Sequence, residues 1–202
     1  MIKLELSQEQ EALLARYAAL LQTWGARMNL TAVRDPGQIA IRHFQDSLAL
    51  CARLPEHVPG DSLIDVGTGA GFPGMLCALW RPGWQVTLVE RTQKKVAFLM
   101  TVKRELGLTN VKPLAVDVQE LVRAGARFGC VVSRAAFPPP EWLALGAALT
   151  DPREGAQLWH MLTQAQADEH AATPPPGFRV LCDDRYDVGA GPHRLRAFAP
   201  AT

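Results

Sequence analysis

The chain has 202 residues, a hydrophobic fraction of 48% and a formal net charge of +1 from 21 Lys+Arg against 20 Asp+Glu. That composition excludes fibrous and largely disordered classes, admits one moderate domain with a self-sufficient core, and gives no global field of the kind that advertises a polyanion partner. Cys51, Cys77, Cys130 and Cys182 show no CxxC spacing and sit among apolar neighbours, so they read as reduced core residues rather than zinc ligands.

The opening segment, Met1 to Leu14, lacks the charged-then-apolar plan of a signal peptide, and no stretch approaches the ~20 apolar residues of a membrane span. A cytoplasmic protein without a bound metal is expected. Ser7 and Gln10 form a capping box, which predicts a helix from about residue 8 with Leu13, Leu14, Tyr17, Leu20, Leu21 and Trp24 at helical spacing and Gly25 near its end. Asn29 to Ala32 reads as a turn. Asp35-Pro36 starts a second helix that is expected to run to about Leu54, with Ile41, Phe44, Leu48 and Cys51 on its apolar stripe and Arg42, His43, Asp46 and Ser47 largely off it. Pro55 to Gly60 is a loop, so residues 1–60 are read as a helical segment and 61–202 as one sheet-containing unit.

From residue 61 short apolar strands alternate with helices. Strands are expected at Leu63–Val66, Val86–Glu90, 111–116, 129–133 and 156–162. Helices are expected at Met75–Trp80, 92–106, 118–124 and 140–149, with Gly107 stopping the long one. Strand-like runs follow at 178–182 and 194–198, split by a polar turn. This alternation implies an α/β, Rossmann-like, doubly wound and mostly parallel sheet.

The strongest motif runs from Asp65 to Gly74, DVGTGAGFPG, after one strand and before a helix. Its glycines let the backbone turn sharply and approach a ligand at the carboxyl ends of the strands. The dinucleotide fingerprint requires a third glycine where this chain has Phe72, and Pro73 removes a backbone donor, so a nicotinamide cofactor fits poorly. Gly67-x-Gly69-x-Gly71, preceded by Asp65, fits S-adenosylmethionine better. Glu90 ends the next strand, where a carboxylate accepts both ribose hydroxyls. Asp65 either orients the glycine turn or meets the cationic amino-acid end of the cofactor. Val118 and Gln119 follow the third strand, where a side chain packs on the adenine ring and an amide meets its edge; Asp117 alternatively just caps a helix there.

Arg134 ends the fourth strand, where a guanidinium meets a base, a phosphate or a cofactor carboxylate, or forms a surface salt bridge. His43 is a candidate at the site or a partner of Asp46 or Ser47 on a solvated helix face. Arg91, Lys94, Lys95, Lys103 and Arg104 make an acid-free window that serves either as a solvated face or as an RNA footprint.

DVGTGAGFPG, the upstream Asn29-Leu30-Thr31-Ala32, the Arg42-His43-x-x-Asp46-Ser47-Leu48 helix and Val131-Val132-Ser133-Arg134-Ala135 together resemble the RsmG (GidB) family of small-subunit ribosomal RNA guanine-N7 methyltransferases. The resemblance covers about residues 20–150. It implies a class I S-adenosylmethionine-dependent methyltransferase sheet with an antiparallel last strand, an N-terminal helical segment, and a guanine of 16S rRNA in the small ribosomal subunit as the methyl acceptor. It implies cofactor contacts at Gly67, Phe72, Val118, Gln119 and Arg134, and places Asn29, Arg42, His43 and Asp46 near the site mouth. A monomer is the expected state. The family usually has Leu-Lys-Gly at the end of its fifth strand, where this chain reads Leu158-Trp159-His160-Met161-Leu162-Thr163-Gln164 with no lysine, and Arg-His before its last strand, where this chain has His193-Arg194.

Guanine N7 carries a lone pair in neutral RNA. Attack on a methyl sulfonium needs no proton removed first, and catalysis is mainly alignment, which is worth up to ~7–11 kcal/mol. The chain shows no obvious general base, with Arg134 and His43 the only candidates for a catalytic part. Two other readings stand beside this one: a methyltransferase acting on a small molecule or a protein, and a non-catalytic binding module on a degenerate methyltransferase fold.

Overall fold

The computed structural model describes residues 6–25, 40–189 and 191–201. Asn29, the turn around it and the Asp35-Pro36 helix start lie outside the described residues, as does the side chain of Arg42.

Seven strands form one sheet: β1 Ser62–Val66, β2 Gln85–Val89, β3 Val111–Leu114, β4 Cys130–Arg134, β5 Gln157–Thr163, β6 Phe178–Asp187 and β7 Pro192–Pro200, in the order β3-β2-β1-β4-β5-β7-β6. The first five run parallel, while β7 is antiparallel to both β5 and β6. The expected sheet is therefore present, and the two tail strands are longer than the sequence implies because they pair as one hairpin. The chain order reverses at β1 and β4, which opens a crevice at their carboxyl ends.

The central strands are buried on both faces, which explains their continuous apolar runs. One face packs α1 Gln8–Gly25, α2 Asp46–Cys51, α3 Gly74–Trp80 and α4 Gln93–Glu105; its core includes Tyr17, Phe44, Leu50, Met75, Phe98 and Leu99. The other face packs α5 Val118–Arg123 and α6 Pro139–Leu149 around Ile64, Val131, Trp142 and Phe198. Local signals set the helix ends. Ser7 accepts from the Gln10 amide at 3.2 Å and Gln10 returns a bond at 3.0 Å, closing the predicted box. Gly107, at φ 67°, ends α4 while Leu108 N–H donates to Lys103 O at 2.9 Å.

Two features depart from the expected pattern. Ala40–Gln45 forms a π-helical turn that leads into α2, and α2 ends at Cys51 rather than near Leu54. The wider turn rotates the following residues, so Asp46 and Ser47 face inward and are buried, against the expectation that they lie off the stripe. The second is a short helix, α7 Gln164–Glu169, absent from the sequence expectation. Thr163 caps it, accepting from Gln166 N–H at 3.3 Å.

Candidate functional site

The glycine turn hangs on Asp65. This carboxylate is fully buried, and its Oδ2 accepts from Thr68 Oγ1 at 2.6 Å and from Gly74 N at 2.8 Å. Burial pushes its pKa up to about 6, against the lowering pull of those two bonds and of Arg134. Asp65 therefore orients the turn from beneath. Gly67, at φ 71°, takes a conformation that favours glycine, and a methyl there would strike Ala136. Gly69, at φ 60°, also takes a conformation that favours glycine, and a methyl there would lie 4.0 Å from the Gly67 carbonyl oxygen.

Over the ends of β1, β2 and β4 lies a cleft of about 480 Å³. Gly67, Gly69, Glu90, Val118, Gln119 and Arg134 all line it, so six of the eight expected cofactor residues converge. Glu90 is 9% exposed; its Oε1 accepts from Thr92 N–H at 2.9 Å and its Oε2 lies 3.6 Å from Lys95 Nζ. A carboxylate has about four lone-pair sites, so acceptor capacity remains. Asp117 both caps α5, accepting from Gln119 N–H at 2.9 Å, and borders the cleft.

The other two expected cofactor residues, Asp65 and Phe72, sit behind the wall. The Phe72 ring stacks with Tyr17, at 5.2 Å and 15°, and with His43, at 5.0 Å and 14°. Only 3% of Phe72 is exposed, so its side chain is a core platform and not a cleft surface.

That platform carries the site mouth. The Arg134 guanidinium lies 5.5 Å from the Phe72 centroid, donates from Nη1 to Asp46 Oδ2 at 2.8 Å and from Nη2 to His43 Nδ1 at 2.9 Å. The Arg134–Asp46 bridge is shielded, with side-chain exposures of 17% and 7%, rather than being a surface pair. His43 Nδ1 accepts from Arg134, and Ser47 Oγ donates to the His43 carbonyl at 2.6 Å. The second Asp46 oxygen accepts from the Tyr186 hydroxyl. Burial, then the Asp46 charge, raises the Tyr186 pKa and keeps the phenol protonated. Tyr186 had no sequence signal: only the β6–β7 register, which sets Tyr186 opposite His193, brings it there. His193 itself lies 5.6 Å from the Tyr186 ring and shares a 2.8 Å hydrogen bond with Gly191 O, while Arg194 Nε lies 3.4 Å from Asp183.

The basic window is split by the fold. Arg91 lines the cleft, 80% exposed and 3.9 Å from Asp117, and Lys94 is exposed; Lys95 turns to Glu90 and Arg104 pairs with Glu105 at 2.9 Å. Among the described residues no helix is long and apolar enough to cross a membrane.

A family model described as rRNA small subunit methyltransferase G matches residues 10–174. The ribosomal RNA small subunit methyltransferase G of Burkholderia thailandensis is 40% identical over 179 residues, covering 87% of this chain and 76% of that protein. The protein of the same name from Burkholderia pseudomallei is 39% identical over 179 residues, covering 87% and 75%. Among solved structures, a variant of MtNAS in complex with S-adenosylmethionine aligns with a TM-score of 0.62 at 15% identity, over 95% of this chain and 76% of that one. TrmN from Thermus thermophilus aligns with a TM-score of 0.61 at 18% identity, over 80% of this chain, which spans 53% of that larger one. At such identities the likeness to these structures is one of fold.

Proposed function

The chain belongs to the rRNA small subunit methyltransferase G family, and on that premise we propose that it moves a methyl group from S-adenosylmethionine to N7 of a guanine in 16S rRNA, acting as a cytoplasmic monomer on the small ribosomal subunit. The observation that carries the reading is the convergence of Glu90, Gly69, Val118 and Gln119 on one cleft with Arg134 at its mouth.

The residues fit the cofactor. Glu90 offers carboxylate oxygens at the end of β2, where they would hold a ribose diol. Gly69 lines the cleft with backbone alone. Val118, 7% exposed, gives an apolar wall for adenine. No nest of backbone donors for a pyrophosphate is required, in keeping with Pro73 at the turn. When bound, the cofactor supplies an electrophilic methyl on a cationic sulfur.

The mouth suits a base nucleophile that already holds its lone pair. His43 Nδ1 accepts from Arg134, so this nitrogen serves to hold the guanidinium. Asp46 neutralises Arg134 across 2.8 Å. The pair therefore adds little net positive charge to a site where positive charge passes to the base. A guanidinium so held is matched to guanine O6, leaving N7 to react. Arg91 and Lys94 give the rim a basic edge that contributes phosphate neutralisation, and folded RNA is read largely through shape and exposed bases.

Mapping N7-methylguanine in 16S rRNA from a strain deleted for this gene tests the assignment. One modified guanine should lose its methyl group and regain it on complementation. An unchanged pattern would overturn the reading.

A further inference from the structure

Arg134 is a long side chain, and its use at the mouth depends on what fixes its guanidinium. Phe72 supports it from below, and His43 and Asp46 each take one Nη group. Asp46 follows a π-turn on a six-residue helix, so its carboxylate needs an anchor of its own. That anchor is Tyr186, whose hydroxyl donates to Asp46 Oδ1 while Oδ2 faces Arg134. With both oxygens engaged, the plane of the carboxylate is set, and so is the direction of the fork it receives.

Tyr186 is in turn held from its own hairpin. Its ring meets His193 at 5.6 Å and lies under Arg53, 5.9 Å from the guanidinium carbon. Arg53 bonds Asp184 through Nε at 2.9 Å and the Ala49 carbonyl of α2 through Nη1 at 2.8 Å. Two ties, Arg53 to Asp184 and Tyr186 to Asp46, thus clamp α2 against β6.

We propose that Tyr186 is a positioning residue for the methyl acceptor: it orients Asp46, and through Asp46 the Arg134 guanidinium at the mouth of the cleft. This rests on the reading of the chain as a 16S rRNA methyltransferase. Tyr186 touches neither the cleft nor the reacting atoms; it acts through Asp46 alone.

The test compares the full-length protein with Tyr186→Phe, Asp46→Asn and the double variant, on small subunits from the deletion strain. Tyr186→Phe removes one hydroxyl and keeps the ring between His193 and Arg53. Its kcat should fall about tenfold, while the Kd for S-adenosylmethionine, read by calorimetry, stays within about twofold. The double variant should be no slower than Asp46→Asn, because both changes act on one bond. A wild-type kcat in Tyr186→Phe, or losses that multiply in the double variant, would overturn the proposal. A second measurement does not need turnover: the Arg134 Nη–H signals in NMR report restricted rotation of the guanidinium. They should be slow in the wild type and broadened by Tyr186→Phe. Identical signals would overturn the positioning role. If the wild type methylates no subunit, the substrate reading fails, and the Arg134 signals decide the positioning on their own.

Discussion

The Tyr17 hydroxyl donates a 2.5 Å hydrogen bond to the Ala70 carbonyl, joining the first helix to the glycine turn across 53 residues of sequence. Both groups are buried, and burial raises the Tyr17 pKa well above that of an ordinary phenol. Tyr17→Phe leaves a buried carbonyl without its donor, which costs about 1–3 kcal/mol. Gly71→Ala should be worse. Its φ is +99°, and a methyl there would meet the Tyr17 hydroxyl and Met75. Thermal melts of the two variants give the order; a Gly71→Ala protein as stable as Tyr17→Phe would contradict this account of the joint.

Asp65 predicts an unusual dependence on pH. Its folded pKa of about 6 lies above the ordinary 3.8. The native state therefore binds the proton more tightly than the unfolded chain. The stability linked to that proton is complete below about pH 4 and is lost as pH rises through 6, a change of ~3 kcal/mol. Asp65→Asn cannot titrate, so wild type should lose stability relative to it between pH 4 and 7 in denaturant titrations. Parallel curves would sink the prediction.

His160 acts in the opposite sense. Burial, then Arg196 and His170, lowers its pKa from 6.5 to about 3. Its neutral form stabilises the fold above pH 6.5, and this is lost as pH falls toward 3, by roughly 4–5 kcal/mol in total. His160→Gln should flatten the acid limb of the stability curve. A variant that unfolds in acid as steeply as wild type would show that another group governs that limb.

Glu90 should govern cofactor affinity. Glu90→Gln replaces a charged acceptor with a neutral amide, and hydrogen bonds to charged groups are worth ~1.5–3 kcal/mol. Calorimetry should show the Kd for S-adenosylmethionine rising at least about tenfold. An affinity within about twofold of wild type would remove Glu90 from the site.

Arg91 and Lys94 make the claim on RNA quantitative. If each neutralises one phosphate, each alanine variant lowers the slope of log affinity against log salt by about one. Measurements on small subunits should show this, with S-adenosylmethionine affinity unaltered. An unaltered slope would make the pair a solvated edge.

The parts of the fold that local chemistry fixes were legible in the sequence. The Ser7–Gln10 box, the Gly107 stop and the two-sided apolar strands each specify an element from a few neighbouring residues. Thr163 and Gln166 carry the same box signature as Ser7 and Gln10. The helix they start was not legible because QAQADE has no apolar stripe to mark it. In the site, the glycine turn, Glu90 and Val118-Gln119 follow strand ends, and strand ends of a parallel sheet share one edge. The Phe72 ring turns into the core because the motif fixes its backbone but not the direction of its ring. Asp46 is buried rather than off the apolar stripe because a π-turn changes which face a helix presents. Tyr186 depends on antiparallel register between β6 and β7 and on β7 entering the sheet beside β5, a relationship across 140 residues that no local pattern records.

The strand order also sets a sequence of events during synthesis. Among the described residues, those that line the cleft lie between Val66 and Glu141. Asp46, made earlier, receives its second donor from a hairpin made later, after β7 has entered between β5 and β6. In order of synthesis, the described residues of the cleft wall therefore precede the hairpin that completes the hold on Asp46.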